Sequence, residues 1–147
     1  MSNDSKFESY REAWGRIVSS IQDGYFFEAV TLEESVISDR LLSYIIGNDK
    51  ICKFDVKTGL AKLIAKMASI AKTIGDEQSL ALAVEIDTWR ERRNEIVHGL
   101  VKSYPGKSTS PVNDFLMTAE QTALEGKILA RKVSDWHRAR LAKSLSE

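Results

Sequence analysis

The densest chemistry in this 147-residue sequence lies in one run, Trp89-Arg90-Glu91-Arg92-Arg93-Asn94-Glu95-Ile96-Val97-His98-Gly99-Leu100. It gathers three arginines, an asparagine and one of only two histidines in the chain. Guanidinium forks bind phosphate oxygens, an amide can orient a substrate, and an imidazole moves protons near neutral pH. These residue types point to phosphate recognition or to proton transfer at a phosphate ester.

On a helix, Arg90, Asn94 and His98 stand at i, i+4 and i+8 and share a face. Arg93 lies five residues before His98, about 140° around the helix axis, on the side of Trp89 and Val97. An arginine turned toward a core edge requires an anionic partner, because an unpaired buried charge is costly. The partner is either a substrate phosphate or a carboxylate of the chain such as Glu34 or Glu85. In the second case His98 merely sits near a helix end, and on spacing alone that is the simpler arrangement.

Other motifs fall away on inspection. Gly106-Lys107-Ser108-Thr109 resembles the tail of a phosphate-binding P-loop, but the position of its first glycine is Val101 and no strand precedes it. Glu95-Ile96-Val97-His98 has the Glu-x-x-His spacing of di-iron bundles. The second histidine, His137, has Ser134 three residues before it, so no paired motif exists. Cys52 has no metal-ligand neighbour in sequence, and no nucleophile-elbow pattern supports a serine hydrolase. Neither a metal nor a cofactor is expected.

The elements that position the run read as helices. Phe7, Tyr10, Trp14, Ile17, Val18 and Ile21 recur at helical spacing over residues 5–22, and Asp23-Gly24 ends that stretch. A second helix runs from about Tyr25 to Ile46, with Phe26, Ala29, Val30, Val36, Ile37, Leu41 and Ile45 available for a core, and stops at Gly47-Asn48-Asp49. Residues 49–57 alternate polar and apolar but have no partner strand, so they are expected as an extended connector. Thr58 is the expected N-cap of a third helix with Leu60, Leu63, Ile64, Met67, Ala71 and Ile74 in one stripe, ended by Gly75-Asp76. The fourth starts near Glu77 and sets Leu80, Ala83, Ile86, Trp89, Arg93 and Val97 inward. Ser103–Asn113 holds both prolines and reads as a loop. Asn113 or Asp114 should cap a last helix through Leu116, Ala119, Ala123, Ile128, Ala130, Val133, Trp136 and Leu141. The expected fold is all-α, a single-domain up-and-down bundle of about five helices over residues 1–147, with 1–5 as a flexible tail.

Composition constrains the function class. Twenty-one basic and 21 acidic residues cancel, so no global field draws the chain onto nucleic acid. The first third leans acidic, whereas Lys127, Arg131, Lys132, Arg138, Arg140 and Lys143 face a single Asp135. That basic stripe is either a solvated helix face or a phosphate-binding flank. One cysteine, a polar N-terminus and no apolar run near the roughly 18 residues of a membrane span make a soluble cytoplasmic protein the expectation, with no membrane partner.

Arg93-Asn94-Glu95-Ile96-Val97-His98-Gly99 resembles the signature of the HEPN superfamily: an arginine, a polar residue, and a histidine near a helix end. Gly24-Tyr25-Phe26-Phe27-Glu28-Ala29-Val30 also resembles the aromatic opening of the second HEPN helix. The resemblance implies a metal-independent endoribonuclease, a toxin or defence effector, that forms a 2′,3′-cyclic phosphate. It further implies catalytic roles for Arg93, Asn94 and His98; Arg90, which shares a helix face with His98, is the candidate for an added substrate-phosphate contact. One histidine per chain is few for two proton transfers, and HEPN ribonucleases meet that need by pairing two motifs across a dimer axis. The implied partners are RNA, a second copy of the chain, and an antitoxin or defence-system protein. The alternative is a non-catalytic HEPN-like module that binds RNA or protein. In toxins silenced by nucleotide transfer a tyrosine stands two residues after the histidine; here that position is Leu100.

Overall fold

The computed structural model describes residues 4–108 and 111–146, with side chains through Lys143. Five helices form: α1 (Asp4–Gln22), α2 (Phe26–Asn48), α3 (Leu60–Ile74), α4 (Glu77–Gly99) and α5 (Val112–Ser146). No strand occurs among the described residues. The all-α five-helix bundle expected from the apolar periodicity is what forms. Helix α1 begins inside the stretch read as a tail, residues 1–3 lie outside the described residues, and so do Thr109 and Ser110 of the loop before α5.

Helix α2 lies in the middle and packs on all four others, most extensively on α5. Its inner face is Ala29, Val30, Val36, Ile37, Leu41, Tyr44 and Ile45, all buried, and one charged residue, Glu33, is buried with them. Removing apolar surface of this kind from water is the main stabilisation of a bundle, roughly 1.5–3 kcal/mol per large side chain. The connector 49–59 turns back along α2, so Leu60 and Leu63 stand beside Thr31–Leu42 while Ile74 and Gly75 stand beside Ser43–Asn48. The chain then reverses at Gly75, whose φ of 72° is the left-handed conformation that glycine adopts without steric cost. Helix α4 thus runs antiparallel to α3, and α5 antiparallel to α4.

Several local expectations are revised. Thr58 does not cap α3: Gly59 holds that position, and the Thr58 hydroxyl accepts from the Asp55 amide at 3.0 Å. Helix α5 starts at Val112, ahead of Asn113 and Asp114. On α4, Ile96 is buried and Val97 is exposed, because Ile96 lies about 20° from Trp89 around the axis and Val97 about 80°. On α5, the buried line is Phe115, Ala119, Ala123, Leu129, Ala130, Val133 and Trp136, and Leu116, Ile128 and Leu141 are exposed. Gly99 closes α4 without a positive φ. A Cβ there would meet the Phe115 ring at 3.2 Å, so the bare backbone of this glycine admits the ring.

Polar contacts fix the N-terminal end of α4. Asp76 accepts from the Ser79 amide at 3.2 Å and hydroxyl at 2.6 Å, and Arg140 donates to Asp76 at 2.6 Å and to Ser79 at 3.0 Å. Trp136 donates to the same Ser79 hydroxyl at 2.9 Å. Burial alone would raise the Asp76 pKa, but the Ser79 hydrogen bonds and the Arg140 charge outweigh it and hold the carboxyl below its usual range. This network pins α5 to the start of α4 and so sets the register in which α4 presents its other end.

Candidate functional site

Helix α4 is anchored by Trp89, whose indole N–H donates to the Thr122 carbonyl at 3.0 Å, and by buried Ile96. Arg93 lies between them on the same side. Its Nη2 donates to Glu34 Oε1 at 2.8 Å, with the arginine side chain only 17% exposed, while its Nε is buried without a hydrogen-bond partner. Of the two carboxylates named from the sequence, Glu34 is therefore the partner; Glu85 pairs with Lys132 at 2.8 Å.

The neighbouring arginines are engaged as well. Arg90 donates from Nε to Asp87 at 2.8 Å, one helical turn back, and Arg92 pairs with Glu125 of α5. Asn94 is half-buried, and its side chain makes no hydrogen bond among the described residues. His98 is exposed and lines a shallow hollow with Phe27, Val97, Leu100, Val101 and Lys102. Arg90, Arg93 and Asn94 do not line it. Glu34 and Phe27 are seven residues apart on α2, roughly 10 Å along its axis. Within one chain, then, the Arg93 guanidinium and the His98 ring belong to different places. Among the described residues the one lysine or arginine lining the hollow of His98 is Lys102.

The basic stripe of α5 is likewise engaged internally. Lys132 pairs with Glu85, Arg138 with Asp135 and Arg140 with Asp76, while Arg131 stacks on the Trp14 ring at 4.6 Å. These contacts match a solvated helix face. His137 is buried on α5, where Arg40 Nη1 lies 3.2 Å from its Nδ1. Arginine can only donate, so Nδ1 accepts and the ring is neutral. Burial first, and the Arg40 charge second, push its pKa down. Among the described residues no three of His, Cys, Asp and Glu converge as a metal ion would require.

Glu33 is the residue that sequence reasoning missed. It is fully buried, and neither carboxyl oxygen has a hydrogen-bond partner. Burial raises its pKa to about 9, against a small opposite pull from Lys127, so the group is a neutral acid at pH 7. Across from it, a Cβ on Gly126 would lie 2.1 Å from Glu33 Oε1 and 2.7 Å from Trp89 Cζ2. The bare backbone of Gly126 is what makes room for the carboxyl. The signal was present in the spacing, since residue 33 falls between Val30 and Val36-Ile37 on the inward line of α2.

Fold and site together define an all-helical bundle that shows an exposed histidine at the end of one helix and an arginine held by a carboxylate farther along it. Comparisons with protein-family models, with curated proteins and with solved structures return no match for this chain.

Proposed function

We propose that the chain is a metal-independent endoribonuclease of the HEPN type, acting in a toxin or defence role, whose site is completed by a second copy. The observation that carries this reading is the setting of His98. It stands exposed in a hollow whose Val97, Leu100 and Val101 are all exposed large apolar residues. Exposed apolar surface beside polar groups marks an interaction site. A copy seated there supplies the second histidine and closes the hollow against water.

The chemistry follows from the residue types. One imidazole removes the proton of a ribose 2′-hydroxyl as that oxygen attacks phosphorus. The other protonates the departing 5′-oxygen as the phosphodiester bond breaks, leaving a 2′,3′-cyclic phosphate and a 5′-hydroxyl. Arg93, released from or shared with Glu34, covers charge on the equatorial oxygens, Asn94 orients the phosphate, and Arg90 adds a backbone contact.

The test is RNA cleavage by the purified chain in EDTA, with products mapped for a cyclic-phosphate end. His98→Ala should lower the rate at least about a hundredfold, the usual scale for a general acid or base. Exposed as it is, His98 should leave stability within about 0.5 kcal/mol of the parent. Undiminished cleavage by His98→Ala, or loss of activity on chelation, contradicts the proposal.

One observation favours a second reading, a non-catalytic HEPN-like module that binds RNA or protein. The Arg93 charge is already neutralised by Glu34 at 2.8 Å. That reading expects RNA or partner binding without cleavage, and Arg93→Ala would then affect stability more than any rate.

A further inference from the structure

The charge of this neutral chain is unevenly distributed in a second place, and the structure shows what shape that place has. Between Asp49 and Gly75 stand six lysines and two aspartates, a net +4 in a chain whose total is zero. No arginine occurs between Arg40 and Arg90. Lys66 is paired with Asp49 at 2.9 Å. Lys50, Lys53, Lys57, Lys62 and Lys72 are exposed and have no carboxylate partner among the described residues.

Two consecutive tight turns build the connector. Cys52 N donates to Asp49 O at 3.2 Å, which puts Lys50 and Ile51 at the first tip. Thr58 N donates to Asp55 O at 3.1 Å, which puts Val56 and Lys57 at the second. Asp55 braces that second turn by accepting from the Lys57 amide at 2.8 Å. Between the tips Cys52 and Phe54 pack against the core, and Lys53 points out. Each tip therefore offers one aliphatic side chain beside one lysine. Ile51 and Val56 are 88% and 89% exposed, the two most exposed large apolar residues of the described chain. The outer face of α3, which follows, carries Lys62 and Lys72 among the exposed small residues Ala61, Ala65 and Ser69, and no acid.

We infer that the 49–59 connector and the outer face of α3 form a docking surface for an anionic lipid bilayer. A polyanion alone would account for the lysines but not for the two aliphatic tips. Single-stranded RNA is gripped by arginine forks and by aromatic rings on which bases stack. This surface has no arginine, and its one aromatic residue, Phe54, is packed inward. A bilayer takes both features: the aliphatic tips enter the acyl boundary while lysine stems lie along it with their ammonium groups among acidic headgroups. Among the described residues no helix is long and apolar enough to cross a membrane; the contact inferred here is peripheral and needs none.

The experiment is co-sedimentation of the full chain with phosphatidylcholine vesicles, with and without about one third phosphatidylserine, a composition chosen for its negative surface potential. Binding is expected only to the anionic vesicles and should weaken as salt rises. Each lysine near such a surface is worth roughly fivefold in affinity. The triple variant Lys50→Ala, Lys53→Ala, Lys57→Ala should therefore bind on the order of a hundredfold more weakly. Ile51→Ser with Val56→Ser should also lose several-fold while keeping every charge. Circular dichroism of both variants should match the parent, since all five positions are exposed. Failure to bind anionic vesicles at low salt overturns the inference. So does binding that the aliphatic replacements leave unchanged, or a lysine-dependent grip on single-stranded RNA without any on vesicles. The outcome is independent of whether His98 cleaves RNA.

Discussion

Replacing Glu33 by glutamine tests the physical core of this structure. The folded state keeps the Glu33 proton up to about pH 9, whereas an unfolded chain releases it near 4.5, the ordinary range of a free glutamate. Between those limits the folded state binds more protons than the unfolded one, so stability falls as pH rises, by about 1.4 kcal/mol per unit for one group. The contribution is intact below pH 4.5. At pH 7 some 2.5 units have been crossed, which predicts on the order of 3 kcal/mol lost to this residue alone, with a ceiling of roughly 6 kcal/mol by pH 9. Glutamine has nearly the same shape against Gly126 and does not titrate. Its own unsatisfied amide adds a constant cost, so the informative quantity is the change with pH and not the offset. Urea unfolding of parent and Glu33→Gln at pH 5, 6, 7, 8 and 9 gives the two stability curves. The variant should gain on the parent steadily across the series. Curves that stay parallel would mean that Glu33 is ionised inside the fold, most simply by pairing with Lys127, and the account of a neutral buried acid would be wrong.

Three further outcomes follow from the same contacts. Gly126→Ala should cost about 1–3 kcal/mol in thermal or urea unfolding, because its Cβ overlaps Glu33 and Trp89, and shortening the acid in the double variant Glu33→Ala, Gly126→Ala should recover part of it. Arg140→Ala strips donors from Asp76 and Ser79 at 2.6 and 3.0 Å and should destabilise by roughly 2 kcal/mol; a change under 0.5 kcal/mol would show that the network carries little. His137, with its pKa lowered by burial and by Arg40, should lose stability as pH falls below its usual range. That loss opposes the gain from Glu33 over the same interval, so it must be read as the stability of the parent minus that of His137→Gln, which should rise on going from pH 5 to pH 8.

The helical framework was legible because its signals are local. The α3 stripe is buried from Leu60 to Ala71 as its spacing predicts, although its last member, Ile74, is exposed, and Gly75 takes the left-handed turn that its position before Asp76 suggests. The candidate site was legible as a set of residue types, and the Arg93–Glu34 pair was among the partners the sequence offered. What could not be read was how α4 is rotated at its far end, since Ile96 and Val97 are both apolar and only packing against α5 decides between them. Thr58 looked like a cap, but the four-residue turn from Asp55 to Thr58 claimed its hydroxyl first. Glu33 was hidden by its chemistry: a glutamate on a helix is normally a surface residue, and its burial depends on a glycine 93 positions away. The two lysine-bearing turns depend on backbone bonds at Asp49 and Asp55 that an alternating pattern does not reveal.

The central place of α2 also bears on how the protein is made. Its most extensive packing partner is α5, which begins 64 residues after α2 ends. On a ribosome the inward face of α2, with Glu33 in it, is synthesised well before the helix that covers it. At 5–20 residues per second that interval is roughly 3–13 s. Until then α2 lacks the Gly126 side of its cover, and a carboxyl in contact with water is ionised at pH 7. Closing α5 over it therefore requires a proton to be taken up, so that closing step should itself be slower at high pH.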